Sequence, residues 1–300
     1  MPAKRLLIIG CGDVGTRVAA LLRSRYRIYA LTREASRFAE LRGRGIIPLA
    51  GDLDRPESLE VLSGLAHDVI HLAPPPASGA TDSRTAHLIA ALARARSLPQ
   101  HFVYISTSGV YGDCSGALVD ETSPLRPSTA RARRRADAER RLREWGARSG
   151  VCVSILRVPG IYAEDRLPIA RLERGTPALL EQEDSYVNHV HADDLARMVV
   201  AALHHGQANR SYNASDDAPQ KMGDYFDLVA DRFSLPRPPR LPRAEARQVL
   251  PEMLYSFMSE SRRLVNSRVK RELRVRLRYP TVNEGVAAAA ALRHDPHHAG

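Results

Sequence analysis

The chain has 300 residues and a formal net charge of +10, from 44 Lys+Arg against 34 Asp+Glu, with 44% hydrophobic residues. That length allows one large domain or two smaller ones with a real core, and the apolar content excludes wholesale disorder. No apolar run is long enough for a membrane helix. Three scattered cysteines, Cys11, Cys114 and Cys152, make neither a disulfide framework nor a zinc site, so a reducing cytoplasm is the expected compartment. The positive charge is concentrated in two segments. Residues 126–148 hold nine arginines and three acids, and residues 237–278 hold twelve basic residues and four acids. Such segments could face nucleic acid or an acidic ligand; GC-rich codon usage and solvated helix faces are the plainer explanation.

Taken in chain order, strand-like and helix-like patterns alternate. Arg5 to Ile9 reads as a buried strand rather than a signal peptide, because it runs into glycines with no small-residue cleavage site. Val14 to Leu22 is helical, with Val14, Val18, Leu21 and Leu22 on one face. Strands follow at Arg27 to Leu31, Gly45 to Ala50 and Val69 to Ala73, the last ended by Pro74-Pro75-Pro76. Thr85 to Arg96 is an alanine-rich helix, Phe102 to Ser106 a strand, Ser128 to Trp145 a long arginine-rich helix and Val151 to Leu156 a sixth strand. This alternation predicts an α/β fold with a parallel, doubly wound sheet. Pro159, Gly160, Pro168, Gly175 and Pro177 then mark loops. His191 to His205 is an amphipathic helix, and Asp194 is placed to help cap it. Residues 291–300 read as a frayed tail.

Gly10-Cys11-Gly12-Asp13-Val14-Gly15 stands between the first strand and the first helix, the context in which GxGxxG binds a dinucleotide. Gly10 serves the tight turn, Gly12 lets a pyrophosphate reach the backbone, and Gly15 lets the helix pack on the sheet. The helix N-terminus at Asp13 and Val14 then offers N–H groups to phosphate. The second strand ends Thr32-Arg33 with no acid at the spot expected for the ribose hydroxyls, although Glu34 sits next to it and could point inward. Arg33 can pair with a 2′-phosphate, so NADP is expected over NAD. Asp52 and Leu53 after the third strand, and Ala73 and Pro74 after the fourth, complete the adenosine side. Cys11 could be a redox thiol at a helix N-terminus, or a small residue filling the turn.

These segments, together with Ile105 to Gly112, Leu156 to Tyr162 and His191 to Ala196, resemble the extended short-chain dehydrogenase/reductases. More narrowly, the chain is similar to NAD-dependent epimerase/dehydratase proteins and their atypical relatives. The resemblance runs from about residue 5 to about residue 285. It implies a Rossmann domain at 1–157 plus about 184–216, and a smaller C-terminal substrate domain at about 158–183 plus 217–290. A homodimer is among the arrangements it implies.

The same resemblance exposes a departure. Family members use a Ser or Thr after the fifth strand with a Tyr-x-x-x-Lys on the next helix. Thr107 holds the first position, with Ser106 and Ser108 as alternatives. Counting from Glu139, Arg131 takes the tyrosine position and Arg135 the lysine position. Arginine has no acceptor lone pair and does not deprotonate, so Arg131 cannot act as acid or base. Arg135 can still donate to ribose hydroxyls. Three explanations stand. Tyr111 or Tyr162 could supply the proton; the chain could sense NADP or serve as a scaffold without turnover; or Arg131, Arg134 and Arg135 could grip an anionic substrate. The expected reading is an NAD(P)-dependent oxidoreductase or epimerase with an atypical site and a small, sugar-like or anionic substrate. No metal is expected at His189 and His191. Nucleic acid is disfavoured, since Trp145 is the lone aromatic of the 126–148 segment.

Overall fold

The computed structural model describes residues 4–294. Strand β1 (Lys4–Ile9) turns Leu6 and Ile8 to one side and Leu7 and Ile9 to the other, and all four are buried. A strand apolar on both faces belongs at the centre of a sheet covered by helices on both sides. The sheet contains β1, β2 (Tyr26–Thr32), β3 (Ile47–Ala50), β4 (Asp68–His71), β5 (His101–Thr107), β6 (Cys152–Val158) and β7 (Arg210–Asn213). Their spatial order is β7-β6-β5-β4-β1-β2-β3, and every pairing is parallel. Strand order therefore reverses between β1 and β4. A crevice at the carboxyl ends of the strands opens at such a switch point.

Helices α1 (Asp13–Leu22), α2 (Ser83–Ala93), α3 (Ala130–Ser149) and α4 (Ala192–His205) cover the sheet. Val18 and Leu22 of α1 and Leu195, Met198 and Val199 of α4 share one core with Leu6 and Ile8. Leu88 and Leu92 of α2 and Ala138, Leu142 and Trp145 of α3 share the other with Leu7 and Ile9. Helix α3 is well delimited. Thr129 accepts from Ala132 N at its start, and Gly150 closes it at φ +74°, as expected of capped helix ends. A third core joins Tyr162 and Leu172 to Phe226 and Val229 of α5 (Met222–Arg232) and to Val286 of α6 (Val282–His294).

The expected sheet-and-helix alternation is present, with shifted boundaries. The fourth strand stops at His71, because Leu72 N and Ala73 N both turn to Ile9 O and the prolines follow. The expected tail is partly ordered: residues 291–294 continue α6, and the remainder lies outside the described residues. Asp194 does not cap α4. His191 does, with Nδ1 accepting from Asp193 N, while the Asp194 carboxylate accepts from Arg278 N and Tyr279 N. Much of the 237–278 charge is taken up internally. Arg240 pairs with Asp227, Arg262 with Glu260, Arg268 with Glu121 and Lys270 with Asp217. No helix among the described residues is long and apolar enough to cross a membrane.

Candidate active site

The three glycines after β1 have different surroundings. Gly10 sits at φ +85°, and a Cβ there would lie 2.5 Å from Ala73 N. Only glycine fits so close a crossing of two strand ends. At Gly15 a Cβ would come within 3.2 Å of both Gly10 O and Leu72 Cδ1, which fixes how closely α1 approaches the sheet. At Gly12 a Cβ would meet nothing within 4 Å. Packing within the chain does not require glycine there, so the free space fits a group from outside. No side chain caps α1, which leaves its first N–H groups to such a group. The Asp13 carboxylate is drawn off to Arg17 at 3.0 Å and Arg166 at 3.6 Å. Of this turn Gly10, Cys11 and Gly12 line the cleft, while Asp13 and Val14 are not among its lining residues. What α1 can offer a ligand there is its first N–H groups, not the Asp13 carboxylate. This arrangement fits a dinucleotide pyrophosphate.

A cleft of about 380 Å³ runs from this socket along the carboxyl ends of β1, β2, β3 and β4. It brings together Gly10, Gly12, Thr32, Arg33, Asp52, Leu53, Ala73 and Pro74. Arg33 is mostly exposed, and its nearest counter-charge is Glu34 at 4.0 Å. Asp52 Oδ1 accepts from Asp54 N at 2.9 Å, and Asp54 grips Arg84, which also donates to Pro74 O. The loop after β3 is thereby tied to the loop after β4. Cys11 is only 2% exposed, and burial pushes its thiol above the ordinary range. A helix N-terminus can activate a thiol only if the thiolate is solvated, so the redox reading of Cys11 fails and the residue fills the turn.

A second cavity, about 570 Å³, opens at the ends of β5 and β6. Thr107, Ser108 and Arg131 share its wall, so the residue at the family's tyrosine position does face the same space as the threonine. Thr107 Oγ1 accepts from Gly109 N at 3.2 Å, leaving its O–H to donate. Of the two alternatives, Ser108 lines the same cavity, whereas Ser106 is buried and donates to Glu139 Oε1 at 2.6 Å. Arg131 has no hydrogen bond or ion pair among the described residues; it is exposed at the surface, and partial desolvation with the neighbouring Arg135 charge pushes its pKa down. Arg135 is buried. Its Nη1 donates to Ile105 O at 2.7 Å, Tyr104 Oη at 3.0 Å and Ala73 O at 3.3 Å, tying the loop after β4 to the end of β5. Arg134 holds Ala77 O and Gly79 O.

Tyr111 is corrected. Its hydroxyl does not reach the cavity; it donates to Asn213 Oδ1 at 2.7 Å and accepts from Arg157 Nη1 at 2.9 Å. Burial pushes its pKa up to about 12. Arg157 in turn holds Glu139 at 2.8 Å with both side chains buried. Tyr111 thus closes a polar network linking β5, α3, β6 and β7, and the long reach of that network is why its local sequence misleads. Tyr162 is also withdrawn, with its hydroxyl 3.4 Å from Thr281 O. Sequence reasoning missed Tyr186, which lines the cavity with Asn188 and His189. The Tyr186 ring lies 4.8 Å from Lys221 Nζ and 5.0 Å from Arg263 Cζ, and its hydroxyl has no hydrogen-bond partner among the described residues. Burial lowers the His189 pKa to about 4, so the ring is neutral at physiological pH. The tyrosine sits in a proline- and glycine-punctuated stretch with no periodicity to flag it.

A profile of the NAD dependent epimerase/dehydratase family matches residues 6–215. GDP-6-deoxy-D-mannose reductase of Pseudomonas aeruginosa is 29% identical over 280 residues, covering 82% of this chain and 87% of that protein. A solved conserved protein of unknown function from Silicibacter pomeroyi DSS superposes with a TM-score of 0.79 at 28% identity, covering 98% of this chain and all of the other. UDP-glucose 4-epimerase of Thermotoga maritima, solved with UDP-glucose, superposes with a TM-score of 0.78 at 18% identity, covering 96% of this chain and 97% of that one. The last likeness shows the fold alone. With its glycine loop, switch-point cleft and seven-stranded parallel sheet, the chain belongs to the NAD dependent epimerase/dehydratase family.

Proposed function

We propose that the chain is an NADP-binding oxidoreductase or epimerase-like enzyme, acting on a small sugar-like or anionic metabolite through a site without the usual Tyr-x-x-x-Lys. The observation that carries this reading is the order of the two spaces across the sheet. The glycine-lined cleft spans the ends of β3, β2, β1 and β4, and the Thr107–Arg131 cavity begins at β5, the next strand along. A dinucleotide laid over Gly12 with its adenosine end toward Arg33 directs its other end to that cavity. When bound, the nicotinamide gives or accepts hydride. Gly12, Asp13 and Val14 receive the pyrophosphate and Arg33 the 2′-phosphate. Arg135, expected from sequence to donate to the ribose, is buried with Nη1 on Ala73 O, Tyr104 Oη and Ile105 O and lines neither space, so it serves the nicotinamide end by holding the loops there. Thr107 orients a substrate oxygen by donating its hydroxyl proton. Tyr186, whose hydroxyl is unengaged, is our candidate for moving the proton that Arg131 cannot. Residues 1–157 with 184–216 form the nucleotide part in this reading, and 158–183 with 217–290 the substrate part. The three free cysteines support a cytoplasmic setting.

The test is NADPH oxidation, followed optically, against a panel of carbonyl compounds and keto-sugar nucleotides. Turnover that Thr107→Val lowers by about tenfold or more supports the reading. Tight NADPH binding with no turnover favours the alternative, a sensor or scaffold, which the lack of any Tyr or Lys in residues 124–144 recommends. That alternative requires a partner whose capture differs between NADP⁺ and NADPH.

A further inference from the structure

The arginines of α3 have unequal partners. Arg140 and Arg141 pair with Asp137, and Arg133 donates to Ser128 O. Arg134 and Arg135 are held by neutral oxygens alone, and Arg131 has no partner among the described residues. Three guanidinium groups at i, i+3 and i+4 thus stand without a carboxylate in the first turns of a helix, where the dipole also disfavours cations. Arg131 is the one of the three that lines the cavity. One carboxylate, Glu260, also lines the cavity, but it is taken up by Arg262 at 2.8 Å and by the Ser128 hydroxyl. The rest of the wall is neutral or apolar, including Thr107, Ser108, Asn188, Ile161, Met222 and Phe257. Arg131 itself is solvent-exposed at this wall, so it is kept at little cost, and it offers an anion entering the cavity a guanidinium that no carboxylate of the chain has taken.

We propose that Arg131 anchors a carboxylate on the substrate, so that the cavity takes a sugar acid in preference to the neutral sugar. This rests on the reading of the cavity as the substrate site. The guanidinium fork matches the two oxygens of a planar carboxylate, and one charge answers one. Thr107 on the same wall then holds a neutral oxygen of the same molecule. Replacing tyrosine with arginine thus exchanges a proton-transfer group for a recognition group.

Two matched pairs test this by isothermal titration on the full chain with NADPH present: D-glucuronate against D-glucose, and UDP-glucuronate against UDP-glucose. In at least one pair the acid binds about tenfold or more tightly. Arg131→Gln brings that ratio to about one, and Arg131→Lys keeps part of it. NADPH affinity is unchanged in both variants. The side chain makes no contact that folding needs, so both variants fold. Equal binding of acid and neutral ligand, failure of both acids to bind, or a preference that survives Arg131→Gln overturns the proposal. If NADPH itself does not bind, the cofactor reading falls, and the same pairs run without nucleotide still decide the anion site.

Discussion

The contrast between Gly10→Ala and Gly12→Ala separates what the fold needs from what the ligand needs. At Gly10 the new methyl group meets Ala73 N at 2.5 Å, with the backbone at φ +85°. An L-residue in the left-handed region costs about 1–2 kcal/mol, and forcing a methyl group into packed backbone about 1–3 kcal/mol more. Gly10→Ala should therefore lose about 2–5 kcal/mol. At Gly12 the backbone is extended at φ −84° and ψ −153°, and nothing lies within 4 Å of the added Cβ. Alanine adopts that conformation freely, so Gly12→Ala should be neutral or gain up to about 1 kcal/mol by restricting the unfolded chain. Its methyl group nevertheless fills the socket over α1, and NADPH affinity should fall at least about tenfold. Urea denaturation of both variants, with NADPH titration of the folded protein, measures both quantities. Equal destabilisation of the two variants, or wild-type NADPH affinity in Gly12→Ala, refutes the socket.

Arg33→Ala should abolish any preference for NADPH over NADH while leaving NADH affinity within about twofold, measured by fluorescence titration. Glu139→Gln breaks a buried pair with Arg157 and should cost about 3–5 kcal/mol in chemical denaturation. Tyr111→Phe should cost about 1–2 kcal/mol, since Arg157 and Asn213 lose a buried partner; a loss of kcat without that loss of stability would restore Tyr111 to the chemistry. Asp216 is buried, with Oδ2 unpartnered, and burial raises its pKa to about 8. The folded state therefore keeps a proton that the unfolded state has already released. Above about pH 7.5, where His189 and His71 are largely neutral even in the unfolded chain, stability should fall as pH rises, by up to about 1 kcal/mol per unit. Asp216→Asn should flatten that slope.

What the sequence makes legible is what short range decides. The glycine loop, its flanking strand and helix, and the spacing from Glu139 to Arg131 are local, and the structure puts Thr107 and Arg131 on one cavity wall. Strand β7 is not legible: Arg210–Asn213 has no apolar alternation, and it becomes a strand by pairing with β6, more than fifty residues earlier. Tyr111 misleads for the same reason, because Asn213, which holds its hydroxyl, lies 102 residues away. The basic stretch at 237–278 finds its counter-charges at Glu121, Asp217 and Asp227, far from most of it in sequence. Charge counted along a chain records composition, whereas charge paired in space records structure. By that measure Arg131 and Arg148 are the arginines of α3 without a partner among the described residues, and of the two Arg131 lines the cavity.

The central claim is that the cleft over Gly12, ending at Arg33, holds NADP. Titrating the purified chain with NADPH and with NADH in the same buffer tests it most directly. Saturable binding of both, with NADPH about tenfold or more tighter, is the expected result. Equal affinities, a preference for NADH, or saturation by neither would contradict it.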